Sequence, residues 1–123
     1  MLRLEPSVYR KAAKTIQEHG LGKGAYLDDQ GCYCAIGAIG DAIGVPWQTG
    51  SDDVPDGSYS RMAFSEYIYF AESHISPDSR VGGDDELHEW SDRPERTAEE
   101  VTDLFDRAAQ TLEDQYTARL NPV

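Results

Sequence analysis

The sequence predicts a mainly α fold, a compact single domain over residues 1–123 built of about four helices, with room for one short β-hairpin near residues 25–33. Three observations carry that prediction. Apolar residues recur at helical spacing in the N-terminal, middle and C-terminal parts of the chain. The breaks between these segments fall on clusters of Gly, Pro and Asp. The length of 123 residues suits one domain, and a chain of that size buries roughly two-thirds of its unfolded surface. Leu, Ile, Val and Phe make up only about 19% of the residues, close to the composition of disordered chains. An aromatic content of 10% offsets this and predicts a modest core built on Ala and Tyr.

The first helix is expected from Pro6 to His19, because Pro suits a first helical position and Gly20 a left-handed stop. Val8, Tyr9, Ala12, Ala13 and Ile16 share one face at about 100° per residue. Gly-rich and Asp-rich turns follow, and Ala25-Tyr26-Leu27 with Cys32-Tyr33 flank the second as the candidate hairpin. The second helix is expected over about Tyr33 to Ile43, stopped by Gly44 and Pro46. Gly37 and Gly40 each cost it roughly 1 kcal/mol against Ala, so a neighbouring backbone is expected to come close there. Residues 45–58 read as a long loop, and Tyr59 to about Ser73 as a third, aromatic helix with Tyr59, Ala63, Tyr67 and Phe70 inward and Tyr69 exposed. Residues 74–85 read as loop, and Trp90 as a core side chain just beyond it. Thr97 with Glu100 forms a capping box for the last helix, whose apolar face runs from Val101 through Leu104, Phe105, Ala108, Ala109 and Leu112 to Tyr116.

Charge narrows the function classes. The net charge is −12, yet residues 1–27 carry +3 and the remaining 96 carry −15. Such a field repels phosphate backbones and anionic membrane surfaces, so direct nucleic-acid or membrane binding is not expected. No run of 18 apolar residues offers a membrane span. The apolar stretch of a secretory signal is also missing at the N-terminus, so the cytoplasm is the expected location and Cys32 and Cys34 are expected as thiols. A protein partner, with a basic surface if charge decides, fits these constraints.

Three constellations invite chemistry. Cys34 opens the second helix, where the helix dipole favours a thiolate, and His88 and Asp92 are the candidate base and orienting group for a cysteine-dependent hydrolase or transferase. Asp41 shares the Cys34 face but stands about 10.5 Å along the helix, out of direct reach. The competing reading of Cys34 is a small thiol packed among Ala and Gly. Cys32, Cys34, His74 and His88, with His19 to spare, lack the paired spacing of a zinc site, and Asp52-Asp53…Asp56-Gly57 lacks the alternation of a calcium loop. No metal or cofactor is expected, and no nucleotide-binding glycine loop is present. The third constellation is for binding. Trp47 and Tyr69 are candidate interface anchors. Glu99, Asp103, Asp106 and Glu113 form an acidic stripe on the last helix, whose rises of about 4.5, 6 and 10.5 Å approach phosphate spacing. Arg107 stands four residues after Asp103 as a local partner.

The stretch Cys34-Ala35-Ile36-Gly37-Ala38-Ile39, followed by Trp90-Ser91-Asp92-Arg93 and by Thr97…Glu100-Val101, resembles a family of small actinobacterial and actinophage proteins of uncharacterised function. The family pattern is an aromatic-Cys-x-x-Gly-Ala helix and a Trp-Asn-Asp…Thr-x-x-Glu-Val C-terminal helix. Tyr33 and Cys34 stand at the aromatic and cysteine positions, and Ser91 replaces the usual Asn. The resemblance spans residues 8–44 and 88–112. It implies the helical outline and an actinobacterial or phage source, and assigns no catalytic residue. The expected function is a small acidic protein-binding module, a phage-encoded modulator of a host protein. The alternatives are an acidic mimic of nucleic acid that occupies a basic groove, and the Cys34 enzyme.

Overall fold

Pro6 opens helix α1 (Pro6–His19), and Gly20 at φ +92° closes it, its N–H donating to Ile16 O at 2.8 Å. The computed structural model describes residues 3–50, 53–76 and 86–120. Among them, α2 (Ala35–Ile43), α3 (Arg61–Glu72), α4 (Leu87–Asp92) and α5 (Ala98–Leu120) follow α1. The fold is mainly helical, as the periodicities predict, with one more helix than expected. None of the helices is long and apolar enough to cross a membrane.

Small residues let α1 and α5, the most extensively packed pair, lie close together. Ala12 and Ala13 of α1 and Ala108 and Ala109 of α5 are all buried. Tyr9 is the aromatic hub between them. It meets Tyr67 edge-on at 5.4 Å and Phe105 in a stack at 6.2 Å, and its hydroxyl donates to Tyr67 O at 2.5 Å. Satisfying that hydroxyl is what allows a tyrosine to be fully buried. Tyr116 at the far end of α5 donates to Leu4 O, tying the start of the chain down.

Helix α2 starts two residues later than the sequence suggests, because Cys34 is its cap rather than its second residue. The Cys34 sulfur accepts from Gly37 N–H at 3.3 Å, and Ser91 Oγ accepts from Ala35 N–H at 3.1 Å. A Cβ at Gly37 would stand 1.9 Å from the Tyr26 carbonyl oxygen, so a backbone does come close there. At Gly40 the close neighbour is instead the Trp47 indole, 2.5 Å from where a Cβ would be.

The candidate hairpin at 25–33 is not a ladder. Tyr33 forms two isolated bridges, parallel to Leu21 and antiparallel to Leu27. The Asp28 carboxylate takes the N–H groups of Gln30 and Cys32 at 2.9 Å each, while Asp28 N–H donates to Cys32 O at 2.9 Å, so side chain and backbone close the turn together. Helix α3 forms as predicted but starts at Arg61 rather than Tyr59, because Ser60 is its cap, its hydroxyl accepting from Ala63 N–H at 3.1 Å. Phe64, Tyr67 and Ala71 are its buried face, while Tyr59, Ala63 and Phe70 are only partly buried. The inward face is therefore rotated slightly from the expected one.

Helix α4 is the unexpected element. Six residues are too few for a helical period to stand out, and its ends are tied by distant groups. Glu72 Oε1 accepts from Leu87 N–H at 2.9 Å. At the other end Lys23 Nζ donates to the carbonyl oxygens of Ser91, Arg93 and Arg96 at 2.7, 2.6 and 3.0 Å. An ammonium on orphan carbonyls is a favourable C-terminal cap. Trp90, 2% exposed, packs inward as expected, with the Arg96 guanidinium over its ring at 4.3 Å.

Candidate functional site

Gly24, Ala25 and Tyr26 on one side, the start of α2 below and α4 on the other side enclose a cleft of about 330 Å³. Its walls include Cys34, Ile36, His88 and Asp92, so the fold brings together the three residues that the sequence offers as a catalytic set. It does not connect them. Cys34 is 4% exposed, and its sulfur is engaged with Gly37 N–H. Burial pushes its thiol up to about 11, against the smaller effect of the N–H groups at the helix start. His88 turns Nδ1 toward Glu86 at 3.3 Å, and Asp92 Oδ1 accepts from Gly24 N–H at 3.3 Å. Among the described residues no hydrogen bond joins Cys34 to His88. The arrangement is a small cavity with a protonated thiol in its wall and an acidic rim.

Two further depressions adjoin it. One, of about 270 Å³, lies between α3 and α4 and is lined by Ile36, Ser65, Ile68, Tyr69, Glu72, Glu86 and His88. It shares Ile36 and His88 with the cleft, so the two are neighbours on the surface, separated by those side chains. The other, more open, is bordered by His88, Glu89, Asp92, Arg93 and Pro94. His88 is the common border of all three. Tyr69, 66% exposed as its helical phase predicts, stands beside the α3–α4 depression, and Met62, 70% exposed, lies two turns before it on the same face of α3.

The remaining binding candidates do not line these depressions. Trp47 is packed: its ring stacks on Tyr26 at 4.6 Å, meets Phe64 edge-on at 6.1 Å, and its Nε1 donates to Gly37 O at 2.8 Å. Asp103 is bonded by Arg107 at 2.9 Å, as its spacing suggests. Asp106 and Glu113 meet Arg10 of α1 at 3.2 and 3.0 Å, a pairing that helix spacing alone does not reveal. Glu99 is exposed at the start of α5. Asp84 and Asp85, which with Glu86 would have to extend the acidic stripe of a nucleic-acid mimic, lie outside the described residues, as does Asp52 of the Asp-rich turn.

Ligand-type groups do gather at one place among the described residues: atoms of Glu86, His88 and Glu89 lie within 4.8 Å of one another, all exposed. This differs from the cysteine and histidine set weighed in the sequence. His74 is engaged elsewhere, its two ring nitrogens meeting Phe70 O and Thr111 Oγ1, both at 2.8 Å. The sequence does not reveal Tyr26, Ile36 and Ile68 as neighbours of His88, whereas Glu86 stands in the same acidic segment. The three come from separate segments, and only the packing of α2, α3 and α4 brings them together.

No curated protein and no solved structure matches the chain. A family model does match, over residues 3–111, which takes in all but the last turns of α5 and agrees with the resemblance carried by the Cys34 and Trp90 motifs. The chain therefore belongs to the family of unknown function DUF6197.

Proposed function

We propose that this chain is a small acidic protein-binding module whose docking surface is the outer face of α3 together with the depression between α3 and α4. The observation that supports it best is the pairing of exposed Met62 and Tyr69 on one helix face beside an apolar floor of Ile36 and Ile68. Exposed aromatic side chains beside a depression are the usual anchors of interfaces. Glu66 on the same face and Glu72 and Glu86 at the rim add carboxylates, so the partner is a protein with a basic surface. In the setting that the sequence motifs suggest, the module is phage-encoded, acts in the host cytoplasm and modulates an actinobacterial protein.

Capture from an actinobacterial lysate with the wild-type chain and with Tyr69→Ala and Met62→Ser variants tests this reading. A partner held by the wild type and lost from both variants is expected, with partial loss at high salt. Capture of the same proteins by both variants would overturn it.

A further inference from the structure

We propose that the cleft between the Gly24–Tyr26 segment and α4 is a pocket for one arginine side chain of the partner, with the guanidinium on Asp92. The inference rests on the docking reading above, since the cleft opens onto the same surface across Ile36 and His88. Size limits the occupant. About 330 Å³ lies at the lower end of ligand sites, which span roughly 300–1,000 Å³, so it suits one side chain and not a length of peptide.

Charge selects the sign. Asp92 is the carboxylate in the cleft wall, and Glu86 and Glu89 stand beside His88 at its border. Asp92 Oδ1 accepts from Gly24 N–H, which fixes the carboxylate against the cleft wall, and among the described residues no group donates to its second oxygen. The nearby Lys23 ammonium does not use them, because it donates to the carbonyl oxygens of Ser91, Arg93 and Arg96.

The nature of the walls selects guanidinium over ammonium. Tyr26, whose ring is held by its stack on Trp47, and Ile36 are apolar flanks for a side-chain stem. A guanidinium is planar, weakly hydrated and able to bond a carboxylate through two N–H groups, whereas an ammonium holds its water more strongly. The protonated Cys34 thiol adds no negative charge to the cleft.

The test uses the full chain labelled with nitrogen-15 and three probes: Nα-acetyl-arginine amide, Nα-acetyl-lysine amide and the neutral isostere Nα-acetyl-citrulline amide. The arginine probe is expected to shift the amide signals of Gly24, Ala25 and Cys34, with weaker shifts from the lysine probe and none from citrulline. Asp92→Asn keeps an oxygen for the Gly24 N–H and should weaken arginine binding by about tenfold or more. Equal shifts from citrulline and arginine would overturn the proposal, and that comparison needs no variant to fold. Arginine shifts spread over α5 and unchanged in Asp92→Asn would overturn it too. Partner capture that depends on Tyr69 while the arginine probe leaves the cleft unshifted would remove this pocket and keep the docking reading. The opposite pattern would remove the docking reading and keep the pocket.

Discussion

One methyl group on Gly37 would have to occupy space 1.9 Å from the Tyr26 carbonyl oxygen, so the bare backbone of this glycine holds the cleft's shape. That oxygen also accepts from Cys34 N–H at 3.3 Å, so the backbone of Tyr26 cannot retreat without losing the bond at the start of α2. Gly37→Ala is expected to destabilise the fold by about 3 kcal/mol or to abolish folding. Gly31 has open space around its Cβ position and only its φ of +84° to defend, so Gly31→Ala should cost about 1 kcal/mol. Urea unfolding of the two variants checks the ranking, and equal effects would mean that the Tyr26 contact gives way easily. Cys34 is the second decisive residue. With burial holding its thiol up to about 11, it should react with a thiol probe at neutral pH far more slowly than the ordinary thiol of an unfolded chain. In a Cys32→Ser background, rapid native-state labelling would return Cys34, His88 and Asp92 to consideration as a catalytic set.

At the scale of the element, the start of α5 is the best-specified point of the chain, and the amino-acid spacing alone makes it legible. Thr97 N–H donates to Glu100 Oε1 at 3.1 Å and Glu100 N–H donates to Thr97 Oγ1 at 3.2 Å, the reciprocal pair that the spacing predicts. What the spacing does not disclose is Arg96, whose buried guanidinium meets Glu100 Oε2 at 2.7 Å. Burial acts to raise the Glu100 carboxyl, but the bonds from Arg96 and Thr97 outweigh it and hold it below the ordinary carboxylate range. A carboxyl depressed in the folded state contributes stability that is present above its unfolded pKa and lost as pH falls through the folded one. Stability should therefore decline in acid with a component that Glu100→Gln lacks, the variant costing about 1 kcal/mol at neutral pH. Thermal melts at neutral and acid pH read this, and identical acid dependence in both proteins would show that the Arg96 contact adds nothing. A contrast between local and distant causes explains the other elements. Helices α1, α3 and α5 carry their periods and caps within a few residues, so they can be read directly. Helix α4 depends on Glu72 and Lys23, 15 and 68 residues away in their bonds to Leu87 and Ser91, and no local pattern announces it. The hairpin shrinks to a single antiparallel bridge, Leu27 with Tyr33, because the next residue, Cys34, whose N–H still donates to Tyr26 O, is already the cap of α2.

For the whole molecule the question is what a net charge of −12 does. A mimic of nucleic acid needs a line of carboxylates free to meet a partner's cations, and the stripe of Glu99, Asp103, Asp106 and Glu113 has helical spacing to offer one. Three of these four are met by cations of the chain itself: Arg107 at Asp103, and Arg10 at Asp106 and Glu113. Arg10 reaches across from α1, so the two helices share charge along the same seam that their alanines pack. These pairs are exposed, with side-chain exposures from 42% to 67%, and exposed pairs contribute about 1 kcal/mol or less each. Changing Asp103 and Asp106 to Asn and Glu113 to Gln together should thus leave the fold intact and shift its stability only slightly. The partner affinity separates the two functions. A chain that docks through Met62, Tyr69 and the surface around His88 should lose little affinity in this triple variant and keep most of its salt dependence, because Glu66, Glu72, Glu86 and Asp92 are untouched. A chain that imitates phosphates with α5 should lose both. Affinity lost without loss of folding would move the functional face from α3 and α4 to α5, and unchanged affinity with unchanged salt dependence would end the mimic as an explanation of the acidity.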